Sequence, residues 1–365
     1  MIKVCHIISG DLWAGAEVMA CHLLQELALN QELRLSVLLL NDGRLAAELR
    51  GSGLPVTVFD ESRRSFGNLV LEVRGYLKKD PPDLIHSHRY KENLLALLGS
   101  AGSSRTRLVA TQHGLPEVTE RVSMAQAIKA RANFFILNRF FDRTVAVSRD
   151  IRDHLVRCLG FRSEGVAVIH NGIPLPPGAG SAARRAATFR IGSSGRLCEV
   201  KDYPLMVEVA SMVCAERQVQ FLLAGEGPCR QELAAAIERH GLEGRFILTG
   251  HLDDMDSFYR GLDLYLNTSR HEGIPMTILE AMARGVPVVA PAVGGIGEIV
   301  ENGVEGFLVE GRAPEAFARR CLELADNPEL YAAMSRAARR KADRDFSSRQ
   351  MAQNYCRVYQ ELLAG

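Results

Sequence analysis

Two doubly wound α/β domains in tandem, each built on a parallel sheet, are the fold class this sequence predicts. Three observations carry it. Short apolar runs alternate with helical periods along the whole chain; the alternation stops at "IPLPPGAGSAARRAAT", residues 173–188; and it restarts at "TFRIGSSGRL". Strand–helix–strand repetition covers a parallel sheet on both faces, which is why its strands read as continuous Val, Ile and Leu runs.

In the first half, "KVCHIIS", "RLSVLLL", "PVTVFD", "DLIHSH", "RLVATQH", "RTVAVS" and "VAVIHNG" are the expected strands. Helical patterns such as "GAEVMACHLLQELA" and "SRDIRDHLVRCLG" fill the gaps, the latter with Ser148 as N-cap. The second half repeats the scheme with "QFLLAG", "RFILTG", "LDLYLNTS", "VPVVAPA" and "GFLVE". The expected division is 1–172, a Pro/Gly/Ala linker at 173–188, 189–345, and a last amphipathic helix at 346–365 packing back on the first domain. Ligands of such sheets bind beyond the carboxyl ends of the strands, so two sheets facing a cleft are expected to share a site.

At 365 residues the chain suits two ordinary domains, and 47% hydrophobic with 24% charged residues is the balance of a globular enzyme. A net charge of +1 gives no reason to expect nucleic acid. Residues 121–162 hold nine basic and three acidic side chains, which suggests peripheral contact with anionic lipid or an acidic substrate. The cysteines form no C-x-x-C pair, so a reduced, cytoplasmic protein without zinc is expected. No apolar run approaches the roughly 20 residues of a membrane span, and "MIKVCHIISG" reads as a strand rather than a signal peptide. His86 and His88 are expected to face opposite sides of their strand, and the other histidines, His6 and His22 included, show no ligand spacing.

The chemistry concentrates in "SRHEGIPMTILEAMARGVPVVA", residues 269–290. Glu272 precedes Gly273, Ile274 and Pro275, with Pro275 expected in the first turn of a helix and Gly285 at its end; Glu280 lies inside that helix. In one continuous helix the glutamates would stand about 12 Å apart along the axis. With Glu272 on the loop, the helix N-terminal amides form an anion site, and two carboxylates flank whatever hangs from a diphosphate seated there. "GSSGRLCEVKDYP", 192–204, adds Arg196 and Lys201 as cations for the diphosphate, with no metal required.

"EGIPMTILEA" resembles the E-x7-E element of the retaining glycosyltransferases of family 4, which have the two-domain GT-B fold. Further segments follow in that family's order: "GDLWAGAE" (10–17), "TQHG" (111–114), "AVS" (146–148), "VIHNGI" (168–173), "GRLCEVKD" (195–202) and "AGEGP" (224–228). The resemblance implies that Glu280 holds the ribose hydroxyls and Glu272 those of the transferred sugar. Arg196 and Lys201 hold the leaving diphosphate, while Gly15 and Ala16 let backbone approach the phosphates. His113 orients the sugar or acceptor. Gly225 and Glu226 fall in the turn near the nucleobase, and Asn171 in the segment that ends the first domain. "AGAE" stands where the family often has a Gly-Gly pair. A UDP- or GDP-sugar donor and no cofactor are expected, and the basic 121–162 segment suggests a saccharide or lipid-linked acceptor at a membrane face.

Other readings fit less. A glycoside hydrolase also pairs carboxylates, roughly 5 to 9.5 Å apart, but has no use for Arg196 and Lys201. A dinucleotide oxidoreductase needs G-x-G-x-x-G and a P-loop needs Lys-Ser/Thr after its second glycine; "SGDLWAGAE" supplies neither. Asp254-Met255-Asp256 mimics a D-x-D metal motif but reads as a helix N-cap. A sugar-nucleotide epimerase of the same fold and a noncatalytic sugar-nucleotide sensor remain as alternatives.

Overall fold

The computed structural model describes residues 1–103, 105–115, 124–176 and 188–364. They divide into two compact units, Met1–Gly172 with Ser348–Gly365, and Ile173–Ser347. In the first, β1 (Ile2–Ile8), β2 (Leu33–Leu39), β3 (Val56–Val58), β4 (Leu84–Ser87), β5 (Arg107–Gln112), β6 (Arg143–Ala146) and β7 (Val166–Val168) form a parallel sheet in the order β3-β2-β1-β4-β5-β6-β7. In the second, β8 (Phe189–Ser194), β9 (Val219–Ala224), β10 (Phe246–Gly250), β11 (Leu264–Leu266), β12 (Val288–Pro291) and β13 (Gly306–Val309) form the order β10-β9-β8-β11-β12-β13, again parallel. Each expected strand segment holds one of these strands.

Both orders reverse direction beside the first strand of the unit, between β1 and β4 and between β8 and β11. At such a switch point adjacent loops leave in opposite directions and open a crevice at the carboxyl edge. Burying the residues beneath that crevice stabilises it: Cys5, Ile7, Leu38, Val73 and Ile85 form a core in the first unit, and Ile191, Val209, Phe221, Leu266 and Phe317 in the second. A fully buried Phe such as Phe221 contributes about 1.5–3 kcal/mol. Cys5 and Cys321 pack there as small apolar side chains.

Residues 173–176, expected as the start of the linker, belong to the second unit. Ile173 bridges to Ser347, and Pro176 O accepts from Arg339 Nη2 at 3.2 Å, so 173–176 pack on the second unit. The rest of the linker, 177–187, lies outside the described residues. The helix Ser348–Ala364 packs on the helix Gly15–Leu27 of the first unit. Ser148 and Asp254 cap their helices, accepting from Ile151 N at 3.1 Å and Ser257 N at 3.0 Å, so the D-x-D look-alike is an N-cap.

Candidate active site

In the second unit the loop after β8 is pinned from two sides. Gly195 N donates to Ala224 O at 2.9 Å and Leu197 N to Glu226 O at 2.9 Å. Gly225, at φ +136°, lies so close that a Cβ there would fall 2.0 Å from Gly195 O. Only glycine tolerates both the conformation and the approach. On the other side Arg270 N donates to Val200 O, and Thr268 Oγ1 to Lys201 O at 2.9 Å. Asp202, in the left-handed region at φ 47°, is held by Arg312, whose guanidinium also donates to Ser269 O at 2.9 Å and Thr268 O at 2.6 Å.

These braces bring Lys201 Nζ to 2.6 Å from Glu272 Oε1, which also accepts from Ser269 Oγ at 2.6 Å. Burial pushes the Lys201 ammonium down; the charge and hydrogen bond of Glu272 more than offset it, and the net shift is upward. Gly294 packs on the backbone of Glu272: at φ +52° its Cβ position would be 2.0 Å from Glu272 O.

Glu280 is held by a different set. Tyr259 donates to its Oε2 at 2.6 Å and shares a 2.8 Å hydrogen bond with Ser194 Oγ. Burial raises the Glu280 pKa, and the Tyr259 hydrogen bond and Arg284 only partly counter this. The loop after β8 runs past both carboxylates: the Ser194 hydroxyl reaches the Tyr259–Glu280 pair, and Lys201, seven residues on, reaches Glu272. Two negative groups, one with a paired ammonium, stand at the carboxyl ends of β8 and β11. Carboxylates can accept hydrogen bonds from vicinal hydroxyls, and an ammonium can neutralise a phosphate.

Several expected site residues sit differently. The helix is Met276–Met282, with Pro275 at the N-cap rather than inside the first turn, because its ψ of 117° is extended. Arg196 is exposed and makes no ion pair with another described residue, whereas Lys201 is half-buried and paired. Glu226 is exposed and pairs with Arg230 at 3.1 Å, so its backbone rather than its carboxylate shapes the turn. Gly273 and Ile274 are buried. Tyr259, Ser194, Ser269, Asp202 and Arg312 were missed. Tyr259 reads in sequence as a core aromatic, and nothing marks Asp202 as left-handed.

In the first unit Gly15 and Ala16 open the helix Gly15–Leu27, and buried Glu17 pairs with Arg89 Nη2 at 2.6 Å. Asn171 is buried. His113 stacks on His88 at 5.5 Å, with 3.3 Å between His88 Nδ1 and His113 Nε2. His86 and His88 stack on each other at 4.5 Å, which corrects the opposite-side expectation: residues two apart in a strand share a face. His6 joins them from β1, its Nδ1 3.2 Å from His88 Nε2. The absence of ligand spacing is corrected too, since ligand atoms of His6, His86 and His88 lie within 4.8 Å of one another. Burial holds the four rings neutral, pushing His6 and His113 down to about 3 and His86 and His88 well below the usual range.

The family model "Glycosyl transferases group 1" matches residues 188–327, and "Glycosyltransferase Family 4" matches 13–175. The D-inositol 3-phosphate glycosyltransferase of Streptomyces avermitilis is 29% identical over 72% of this chain, a match spanning only 61% of that relative. An Escherichia coli UDP-Gal:alpha-D-GlcNAc-diphosphoundecaprenol alpha-1,3-galactosyltransferase is 23% identical, covering 95% of this chain and 93% of its own. The fold matches the crystal structure of Anabaena HepE in complex with UDP and glucose, with a TM-score of 0.84, 24% identity, and coverage of 99% and 100%. The sucrose-phosphate synthase of Thermosynechococcus elongatus matches at a TM-score of 0.82, 18% identical, with both chains fully covered. Two Rossmann-like units of GT-B type are thus shared with these proteins.

Proposed function

The chain belongs to the family 4, or group 1, glycosyltransferases, and on that premise we propose that it moves a hexose with retention from a nucleoside diphosphate sugar to an acceptor hydroxyl. The unit Ile173–Ser347 holds the donor. Glu280, fixed by Tyr259 and Ser194, takes the ribose hydroxyls; Glu272 takes the hydroxyls of the sugar; Lys201, with exposed Arg196 free to swing in, neutralises the diphosphate as charge grows on it. The observation that carries the reading is that one loop, the one after β8, supplies both Lys201 to Glu272 and Ser194 to the Tyr259–Glu280 pair. His113 of the first unit offers a neutral imidazole to the sugar or acceptor. UDP is the favoured nucleotide, since the E. coli relative is named for UDP-Gal and HepE was crystallised with UDP.

The diphosphoundecaprenol acceptor in that E. coli name supports a lipid-linked saccharide and surface-polysaccharide or glycolipid synthesis. The helix Met124–Phe140 supports peripheral membrane contact: Met124, Ile128 and Phe135 are exposed along one stripe with Arg131, beside exposed Lys129. Arg121 lies outside the described residues. Among them no helix is long and apolar enough to cross a membrane.

The test incubates the protein with UDP-, GDP- and ADP-sugars and follows nucleoside diphosphate release and the anomeric configuration of the product by NMR. Release of UDP with an α-linked product supports the reading. Isomerised sugar without release would make it an epimerase; binding without turnover would make it a sensor.

A further inference from the structure

Two tyrosines of the helix Ser348–Ala364 join the histidine stack of the first unit. Together these groups form one unbranched run of hydrogen bonds. Tyr355 OH lies 2.9 Å from Thr111 Oγ1, and Thr111 Oγ1 lies 2.8 Å from His86 Nε2. His86 Nδ1 lies 2.6 Å from Tyr359 OH, which lies 3.4 Å from His6 Nε2. His6 Nδ1 meets His88 Nε2, and His88 Nδ1 meets His113 Nε2. Each interior hydroxyl meets two partners, and each interior ring is engaged at both of its nitrogens.

Such a run of neutral groups has a direction. A neutral imidazole donates at one nitrogen and accepts at the other, and a hydroxyl has one proton to give. Tyr355 is fully buried, and Thr111 Oγ1 is its one hydrogen-bond partner among the described residues. A buried O–H left without an acceptor costs about 1–3 kcal/mol, so the phenol donates to Thr111. Thr111 must then donate to His86 Nε2, which puts the His86 proton on Nδ1, donating to Tyr359 O. Tyr359 donates to His6 Nε2, His6 Nδ1–H to His88 Nε2, and His88 Nδ1–H to His113 Nε2. The last ring carries its proton on Nδ1, which has no partner among the described residues; His113 is only part-buried, so this N–H, unlike the Tyr355 hydroxyl, sits in a residue that is not sealed from solvent.

We propose that Tyr355, Thr111, His86, Tyr359, His6 and His88 form a directional relay that locks His113 in the Nδ1–H tautomer, so that it presents a hydrogen-bond donor and not a base. The six are positioning residues acting through His113. In the transferase reading, on which this consequence rests, His113 Nδ1–H donates to an oxygen of the sugar or acceptor and takes no proton from it. The same nitrogens exclude a metal among His6, His86 and His88, because an ion would need lone pairs that the relay already uses or protonates.

The experiment labels the full-length protein with ¹⁵N-histidine and reads each ring by two-bond ¹H–¹⁵N correlation at pH 7.5, assigning His113 by its loss in His113→Gln. Nδ1 of His113 is expected in the protonated range and Nε2 in the unprotonated range. In Tyr359→Phe, His113 shifts toward the Nε2–H form that is otherwise usual in water, and donor turnover falls about tenfold in kcat, the worth of one hydrogen bond. Thr111→Val breaks the relay at another point and gives the same shift should Tyr359→Phe fold poorly. A wild-type His113 protonated at Nε2, a tautomer unchanged in both variants, or one equivalent of transition metal whose removal by EDTA moves the His6, His86 and His88 signals would each overturn the relay. The spectra need no sugar, so their failure is separate from that of the transferase reading, which the donor panel tests.

Discussion

Lys201 and Glu272, 71 residues apart in sequence, form a 2.6 Å ion pair that is nearly sheltered from solvent, with Glu272 12% exposed and Lys201 22%. In the proposed function the pair brings the cation for phosphate and the carboxylate for hydroxyls to one place. Removing either charge leaves the other half-buried and alone.

Lys201→Met is therefore expected to lower kcat/KM for the nucleotide sugar by about 10²–10³-fold, in line with loss of one preorganised group facing a developing charge. Circular dichroism and melting temperature check that the fold survives. Turnover within threefold of wild type would remove Lys201 from the diphosphate.

Tyr259→Phe deletes the hydrogen bond that partly counters the burial of Glu280. Its pKa should rise further, and on the proposed role of Glu280 nucleotide binding should weaken about ten- to a hundredfold, the worth of one hydrogen bond to a charged group. Calorimetric titration with UDP should show the loss growing as pH falls. A pH-independent affinity equal to wild type would detach Glu280 from the ribose.

Gly294→Ala tests the packing beneath Glu272 without touching a charge. The new Cβ would stand 2.0 Å from Glu272 O at a φ of +52°, so the loop must move at a cost of roughly 2 kcal/mol or more. Donor hydrolysis should fall at least tenfold while UDP binding through Glu280 falls less. Equal losses in both would show that the whole unit had been disturbed.

Stability should fall on acidification. His6 and His113 sit near 3 in the fold against 6.5 as free groups, so the unfolded chain takes up protons first and unfolding becomes easier as pH drops through 6.5. Each such ring contributes about 1.4 kcal/mol per pH unit in that window. Glu92, raised by burial from 4.5 to about 7, acts in the opposite sense: its contribution is full below 4.5 and lost as pH rises through 7. The histidines outnumber it, so urea midpoints should drop from pH 7 to pH 5, and more steeply in Glu92→Gln. A flat profile would contradict the neutral histidine stack.

Anionic vesicles test the helix Met124–Phe140. Ile128→Ser with Phe135→Ser is expected to reduce flotation with phosphatidylglycerol vesicles about tenfold or more, since each substitution removes a large apolar side chain. Arg131→Gln with Arg139→Gln should weaken binding mainly at low salt. Arg143, whose guanidinium donates to Glu164 O, should matter less. Undiminished flotation of both double variants would end the membrane proposal.

What depends on neighbours along the chain was legible in the residue order alone. Strand and helix periods, the caps Ser148 and Asp254, and the loop that carries Glu272 into a helix carrying Glu280 are local patterns, written in alternation, turn chemistry and propensity. Tertiary structure decided what depends on residues far apart. Lys201 finds Glu272, Tyr259 finds Glu280, and Arg312 holds Asp202 left-handed only because parallel strands bring their carboxyl-end loops together. His6, His86, His88 and His113 come from three strand ends, and Tyr355 and Tyr359 from a helix more than 240 residues on. No spacing records such a meeting, because a hydrogen-bond run through a buried core is set by sheet order and packing, and its direction by one buried phenol with a single acceptor.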